Sequence, residues 1–241
     1  FWLKPLLLKP AQEHTRGQMS VLAGLASGAV RVVGGALVAG AAATLLFGLR
    51  LAFGAVYVRF PYPEPTRKDG IAVFAGSWNP PHMGHLAMLK YMSKRHTKVY
   101  AVIGVNPNKT YPVSPHKRQE LLEAMLKELG LVNVEVVICG GIIFHYARQV
   151  GATVMYRGIR TWREDGRAEK HLEFQNLFYQ MLERYWPIPT AYLQGDPALT
   201  NVSSTLLRKR LAENSSIDDL VPHGCAPDVI KAYGLQQKAN L

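Results

Sequence analysis

The sequence is poor in cysteine and in acidic residues. Cys139 and Cys225 are the only cysteines among its 241 residues, which is too few for a disulfide framework or a zinc ligand set. The 17 Asp and Glu residues stand against 28 Lys and Arg, which leaves a net charge of +11. That charge favours anionic partners such as nucleotides, nucleic acid or acidic lipids, without choosing among them. A hydrophobic content of 48% excludes a fibrous or wholly disordered chain.

Charge is missing altogether from one run near the N-terminus. The eighteen residues Val32–Leu49 contain no charged side chain. As a helix the run would be about 27 Å long, close to the ~30 Å core of a bilayer, so we expect a single-pass transmembrane helix over about 32–49. A buried core helix or a signal segment is the alternative. Tyr57, Phe60 and Tyr62 follow where an interfacial belt of aromatic residues would lie.

A proline-rich stretch over residues 60–65 separates this run from the rest of the chain. Such a stretch cannot continue a helix and is typical of an extended linker. We therefore expect two parts: an N-terminal segment over 1–69, with the transmembrane helix and the linker, and a domain over 70–241. Basic residues flank the charge-free run on both sides, so they indicate no orientation in a membrane.

From Ile71 onward, apolar β-branched stretches alternate with segments of helical spacing. Strands separated by helices pair in parallel through right-handed crossovers, so the pattern predicts an α/β fold with a doubly wound parallel sheet. Ligands of such sheets bind beyond the carboxyl ends of the strands. The predicted strands cover 71–75, 98–105, 134–138, 153–156 and 191–194, and the predicted helices cover 84–95, 115–129, 143–149, 168–185, 203–213 and 228–233.

The first predicted strand runs into Gly76-Ser-Trp-Asn-Pro-Pro-His-Met-Gly-His85. Gly76 relieves the tight exit from the strand, and Gly84 lets the backbone approach a phosphate at a helix N-terminus, whose free N–H groups favour an anion. His82 and His85 share one face of the first turn. By themselves, the glycines fit a common strand–glycine–helix junction, and the two histidines fit a partial metal site. The whole string resembles the (T/H)xGH signature of the nucleotidyltransferase superfamily, which moves a nucleotide monophosphate onto a phosphate or similar acceptor.

A second string, Val202-Ser-Ser-Thr-Leu-Leu-Arg208, stands at the start of a late helix. Its three hydroxyl residues offer side-chain caps and backbone donors to an anion. Alone, the string reads equally well as an ordinary helix cap. It is similar to the ISSTxxR motif of the same superfamily, which holds the phosphates of the nucleotide.

The middle of the domain resembles one family within that superfamily. Ala147-Arg-Gln-Val-Gly-Ala-Thr-Val-Met-Tyr-Arg-Gly-Ile-Arg160 is similar to the ARxxGAxxxxRGLR stretch of phosphopantetheine adenylyltransferase, and Asn106-Pro-Asn-Lys109 resembles its NPSK loop. The resemblance covers about residues 71–233. It implies that His85 stabilises the transition state and that Lys109 and Arg157 hold phosphates. The other contacts that it implies are Gly76, Ser77, His82, Gly84, Arg160, Ser203, Ser204, Thr205 and Arg208, with Ser77 on the acceptor.

Two segments depart from the family pattern. Ser77-Trp78-Asn79 replaces the usual TFD, and the charged stretch Thr161–Lys170 stands where DFEYE would follow. The residues around His82 are more similar to those of the related nicotinamide-mononucleotide adenylyltransferases. We expect the charged stretch to be a solvated surface loop.

The resemblance implies adenylyl transfer from ATP to 4′-phosphopantetheine, with Mg²⁺ held mainly by phosphate oxygens and no metal ligand from the protein. Nicotinamide mononucleotide is the alternative acceptor. The charge-free run suggests a second function, as a nucleotide-binding accessory subunit of a membrane complex in the mitochondrial inner membrane. The basic residues form no patch interleaved with aromatics, so we expect no nucleic-acid partner.

Overall fold

The structure is a computed structural model, and it describes residues 35, 38, 40–44, 56–106, 109–183 and 187–239. The chain divides into two units, Phe1–Ala52 and Phe53–Leu241. In the first unit, residues 35, 38 and 40–44 are helical, and the rest of the predicted span over 32–49 lies outside the described residues. Within the described ranges, no helix is both long enough and apolar enough to cross a membrane.

A parallel sheet of six strands organises the second unit, and this confirms the predicted doubly wound α/β fold. The strands are β1 (Val56–Val58), β2 (Ile71–Gly76), β3 (Lys98–Gly104), β4 (Val134–Cys139), β5 (Val154–Ile159) and β6 (Thr190–Gln194). They lie side by side in the order β1-β6-β5-β2-β3-β4, and every neighbouring pair is parallel.

Helices connect these strands and follow the last of them. They are α1 (Met83–Arg95), α2 (Pro115–Glu128), α3 (Ile143–Gln149), α4 (Trp162–Leu182), α5 (Ser204–Ala212) and α6 (Ala226–Ala239). The start of α2 follows the prediction, because the Ser114 hydroxyl accepts a hydrogen bond of 3.2 Å from the Lys117 N–H. Gly130, in the left-handed region at φ 65°, follows the helix as predicted.

Both faces of the sheet are buried, as the continuous apolar strands require. Successive side chains of a strand point to opposite faces, so Ala72 and Phe74 of β2 join the larger apolar cluster, with α1, α2, α5 and α6. Val73, between them, joins the smaller cluster with Phe144 and Ala147 of α3.

The direction of winding reverses beside β2. The chain passes from β2 to β3 and β4 on one side, and then returns to β5 on the other side of β2. In open α/β sheets the crevice at such a reversal is where ligands bind. The predicted phosphate-site residues lie in β5, at Arg157, and in the segments that follow β2, β3 and β6.

The sheet begins earlier in the chain than the predicted boundary at residue 69. Strand β1 pairs with β6 through Tyr57 and its neighbours, because three β-branched and aromatic residues suit a sheet edge. The Tyr62 hydroxyl donates a hydrogen bond of 2.7 Å to the Gln194 carbonyl oxygen, and the Tyr57 ring lies 5.7 Å from that of Trp162. These contacts tie to the sheet two aromatic residues that were expected at a membrane interface.

The expectation of a solvated loop over Thr161–Lys170 is wrong. Helix α4 begins at Trp162, six residues before the predicted start at 168, and its predicted end at 185 lies outside the described residues. The prediction missed this first part of the helix because its many charged side chains leave no apolar pattern of helical spacing. Two of them form ion pairs: Glu169 with Arg157 of β5, and Asp165 with Arg160, which directly follows that strand.

Candidate active site

A cleft of about 1000 Å³ opens at the carboxyl ends of the central strands. A smaller depression of about 420 Å³ shares Ser77 and Lys109 with it and also includes Arg208. Ser204 and Thr205 line neither of them. The predicted site residues that line the cleft are Gly76, Ser77, His82, Gly84, His85, Lys109, Arg157, Arg160 and Ser203.

His82 and His85 stand at the start of α1, and their rings stack with centroids 3.7 Å apart. Burial lowers the pKa of His82 to about 4. Burial, together with the neighbouring His82, lowers the pKa of His85 well below its usual value. Neither Nδ1 atom finds a hydrogen-bond partner among the described residues. Both rings are therefore neutral near pH 7, and each has one N–H donor and one acceptor nitrogen.

Glycine at position 84 keeps the histidine pair close to the helix. A Cβ at Gly84 would lie 3.1 Å from the His82 ring and 3.6 Å from the Val202 carbonyl oxygen. The N-termini of α1 and α5 thus approach each other at this glycine. Gly84 and Ser203, at these two N-termini, both line the cleft, and the dipoles of the two helices favour an anion there.

Two arginines that end β5 are each paired with a carboxylate of α4. The Arg157 guanidinium donates to both oxygens of Glu169, at 2.9 and 3.1 Å. Arg160 donates to Asp165 from its backbone N–H at 2.7 Å and from its side chain at 2.9 Å. Burial opposes ionisation of Asp165, but these hydrogen bonds and the charge of Arg160 lower its pKa. A phosphate that binds either arginine must therefore share it with a carboxylate.

Lys109 is the exposed cation on the other side of the cleft. Its side chain enters no ion pair in the part of the chain that the structure describes. Its backbone N–H donates 3.0 Å to the Asn106 carbonyl oxygen, which closes the loop after β3. Lys109 and Tyr111 line both the cleft and the smaller depression. The flexible lysine side chain can therefore contact a ligand phosphate in the cleft or in the smaller depression.

The start of α5 supports the loop between β2 and α1. The Ser203 hydroxyl caps the helix by accepting 3.1 Å from the Leu206 N–H. Ser204 donates 2.8 Å to the Pro80 carbonyl oxygen, and Arg208 donates to that of Asn79. Thr205 accepts 3.3 Å from Arg208. All four residues that the motif suggested for the nucleotide therefore contact protein groups in this structure.

Sequence reasoning missed several lining residues. Asp165 and Glu169 carried a usable signal, because they are four residues apart, the spacing of one helical turn, and follow shortly after Arg160. Trp78 and Asp196 gave none, since single residues after a strand form no pattern. Trp78 is 1% exposed, and its indole N–H donates 2.9 Å to the Val102 carbonyl oxygen.

Comparison with known proteins agrees with this architecture. The fold and the cleft define a doubly wound α/β protein with a cleft at its switch point that is lined by both cations and carboxylates. The model of the cytidylyltransferase-like family matches residues 73–210. The chain belongs to this family.

The curated relatives and the solved structure described here each cover about two thirds of the chain. Phosphopantetheine adenylyltransferase of Bifidobacterium longum is 30% identical over 168 residues, which are 70% of this chain and 97% of that protein. The enzyme of that name from a Synechococcus strain is 32% identical over 165 residues, 68% of this chain and 99% of its own. A Plasmodium falciparum nicotinic acid mononucleotide adenylyltransferase, solved in complex with NaAD, shares the fold with a TM-score of 0.51 at 17% identity, over 71% of this chain and 98% of its own.

Proposed function

We propose that the protein transfers the adenylyl group of ATP to 4′-phosphopantetheine, giving dephospho-CoA and pyrophosphate. The observation that carries the proposal is the convergence of His85, Lys109 and Arg157 on one cleft. The acceptor is suggested by the relatives named phosphopantetheine adenylyltransferase, which this chain covers almost completely.

In the proposed reaction an oxygen of the acceptor phosphate attacks the α-phosphorus of ATP in line. The bond between that phosphorus and the oxygen bridging to the β-phosphate breaks, and pyrophosphate leaves. Such a transfer needs positioning and charge stabilisation more than a protein nucleophile. In the proposal, Lys109 and Arg157 supply the positive charge from opposite sides of the cleft.

The histidines have a different role in this proposal, because both are neutral. A neutral His85 donates an N–H to an oxygen on the reacting phosphorus without adding a charge. The His82 ring stacks against His85, and the absence of a side chain at Gly84 leaves room for the His82 ring. The helix N-termini at Gly84 and Ser203 receive the remaining phosphates of the nucleotide. Arg160 lies near the nucleotide, beside Asp165.

The metal ion is assigned to the substrate in this proposal. Among the described residues, no three His, Cys, Asp or Glu side chains converge to hold a metal. Asp165 and Glu169, the carboxylates that line the cleft beside the arginines, already bind those arginines. Mg²⁺ would enter with the triphosphate, with phosphate oxygens and water as its ligands.

The test is pyrophosphate release from ATP by the full chain, with 4′-phosphopantetheine and, in a separate arm, nicotinamide mononucleotide. We expect release with the first acceptor and dephospho-CoA as the product, identified by mass spectrometry. His85→Ala should lower the rate at least 100-fold, because it removes a donor to the transition state. Lys117→Ala, which removes an exposed cation on α2, is the matched control. A wild-type rate no higher than that of His85→Ala with either acceptor refutes the proposal, and release with the mononucleotide alone reassigns the acceptor.

We also propose that residues 32–49 anchor the protein in a membrane, the mitochondrial inner membrane in particular, where it would contact subunits of a larger complex. The support is the charge-free run itself, long enough as a helix to span about 27 Å. The intact chain should stay in the membrane pellet after alkaline carbonate washing. Release into the supernatant contradicts the anchor and leaves the proposed reaction untouched.

A further inference from the structure

The loop from Ser77 to Pro80 adopts a backbone conformation that needs support. Trp78 has φ 50°, in the left-handed region that bulky residues rarely adopt. Such a residue persists only where the surrounding structure fixes it. The loop lies between β2 and α1 and contributes Ser77 and Trp78 to the cleft. Its conformation therefore sets part of the proposed ligand site.

Side chains from α2, α5 and α6 hold this loop. Besides the contacts of Ser204 and Arg208, the Tyr233 hydroxyl donates 2.7 Å to the Asn79 side-chain oxygen. Arg118 of α2 donates to the Ser77 carbonyl oxygen. Two guanidinium groups thus hold the carbonyl oxygens on either side of Trp78, one from each side of the loop.

Arg118 is an unusual member of this set. Its side chain is 0% exposed, and its guanidinium carbon lies 4.5 Å from the centre of the Tyr111 ring. Its Nε and second terminal nitrogen have no hydrogen-bond partner among the described residues. None of the ion pairs in that part of the chain includes it.

A buried guanidinium without a carboxylate is costly, and it cannot lose its charge as a lysine would. Two of its contacts, Ser77 and Tyr111, line both the cleft and the smaller depression. A neutral side chain would close the space at lower cost if packing were the only requirement. The charge is therefore best explained by what it does to the loop and to an anion bound in front of the loop.

We propose that Arg118 is a positioning residue for the anion site: it holds the Ser77 carbonyl oxygen away from the bound phosphates and places Ser77 and Tyr111 against them. The carbonyl oxygen carries a partial negative charge, and directing it at Arg118 removes a repulsion from the cleft. The buried positive charge adds an attraction that salt screens little. This inference rests on the proposed function, because it concerns the same nucleotide site.

The experiment measures binding of ATP with Mg²⁺ to the full chain in non-ionic detergent by calorimetry, at a temperature where every variant is folded. Arg118→Gln should weaken binding 10- to 100-fold, the effect of losing a hydrogen bond from a charged group. Arg118→Lys keeps the charge but not the planar fork, so it should weaken binding only 3- to 10-fold. Lys117→Gln removes the same charge from the neighbouring, exposed position and should stay within twofold of wild type.

A merely structural role predicts a different result. It would lower the melting temperature of both Arg118 variants while their folded fractions bound ATP with wild-type affinity, and that result overturns the inference. Failure of both variants to fold, judged by circular dichroism, also assigns Arg118 to stability alone and overturns it. Wild-type protein that does not bind ATP refutes the proposed function, and the inference falls with it. Normal wild-type binding with unaffected variants refutes the inference alone.

Discussion

Acid should destabilise the domain through the two stacked histidines. Burial lowers the pKa of His82 to about 4 and that of His85 well below its usual value, whereas an unfolded histidine titrates near 6.5. Below pH 6.5 the unfolded chain therefore binds protons that the folded chain does not. The stability linked to these groups is complete above pH 6.5 and is lost as the pH falls towards the folded pKa values.

The size of the effect follows from the pKa of His82. The difference between 6.5 and about 4 corresponds to about 3 kcal/mol, at about 1.4 kcal/mol for each pH unit. Chemical unfolding of the full chain, measured from pH 7.5 to 4.5 in non-ionic detergent, should show this loss as a slope. Replacing His82 by phenylalanine removes one titrating group and keeps a ring against His85. The slope of the His82→Phe variant should be smaller by about one proton, or about 1.4 kcal/mol per pH unit.

The control is His223, whose side chain is 91% exposed. His223→Gln should leave the curve parallel to that of the wild type, because it replaces an exposed ring outside the buried pair. Other buried groups, such as His96, contribute equally to all three proteins and cancel from the comparison. Parallel curves for the wild type and His82→Phe would refute the reasoning, since they would mean that the folded protein already protonates His82 near pH 6.5.

Two further predictions concern the cations of the cleft and the glycine that directly precedes β2. Lys109→Ala and Arg157→Ala should each weaken ATP binding at least 10-fold in calorimetry, because each removes a charged donor; wild-type affinity in both would exclude these residues from the site. Gly70→Ala should lower the free energy of unfolding by about 2 kcal/mol or more, since φ is 62° and a Cβ would lie 2.3 Å from the Thr153 hydroxyl. Gly130→Ala, with φ 65° and open space around it, should cost only about 1 kcal/mol, and equal losses would contradict the steric argument.

The sheet was predictable because its strands are apolar on both faces. Continuous runs such as Ile71–Gly76 and Lys98–Gly104 identify buried parallel strands, and the intervening helical segments require crossovers. The short β1 was missed because Val56–Val58 is only three residues long and lies between an apolar run and a proline-rich stretch. A strand of three residues is too short to show a pattern in the sequence.

The candidate site was predictable where the backbone imposes residue types. Glycines at a strand exit and serines at a helix start are required by geometry, so Gly76, Gly84 and Ser203 lie at the cleft as expected. Side chains that serve the site from a helix face were harder to find. In the sequence, Asp165 and Glu169 look like ordinary solvated acidic residues. In the structure the helix places them beside Arg160 and Arg157.

The contacts that hold the loop around Trp78 were beyond sequence reasoning for a different physical reason. Arg118 and Arg208 act on main-chain carbonyl oxygens, 41 and 129 residues away in the chain. A carbonyl oxygen is present at every position, so the acceptor leaves no trace in the sequence. Arg118 looks like any other arginine on a helix, and the motif that includes Arg208 assigns that residue to the nucleotide. Only the path of the backbone shows which carbonyl each guanidinium meets. A search for positioning residues in this fold must therefore begin from the carbonyl oxygens of the phosphate loop and ask which buried cations they meet.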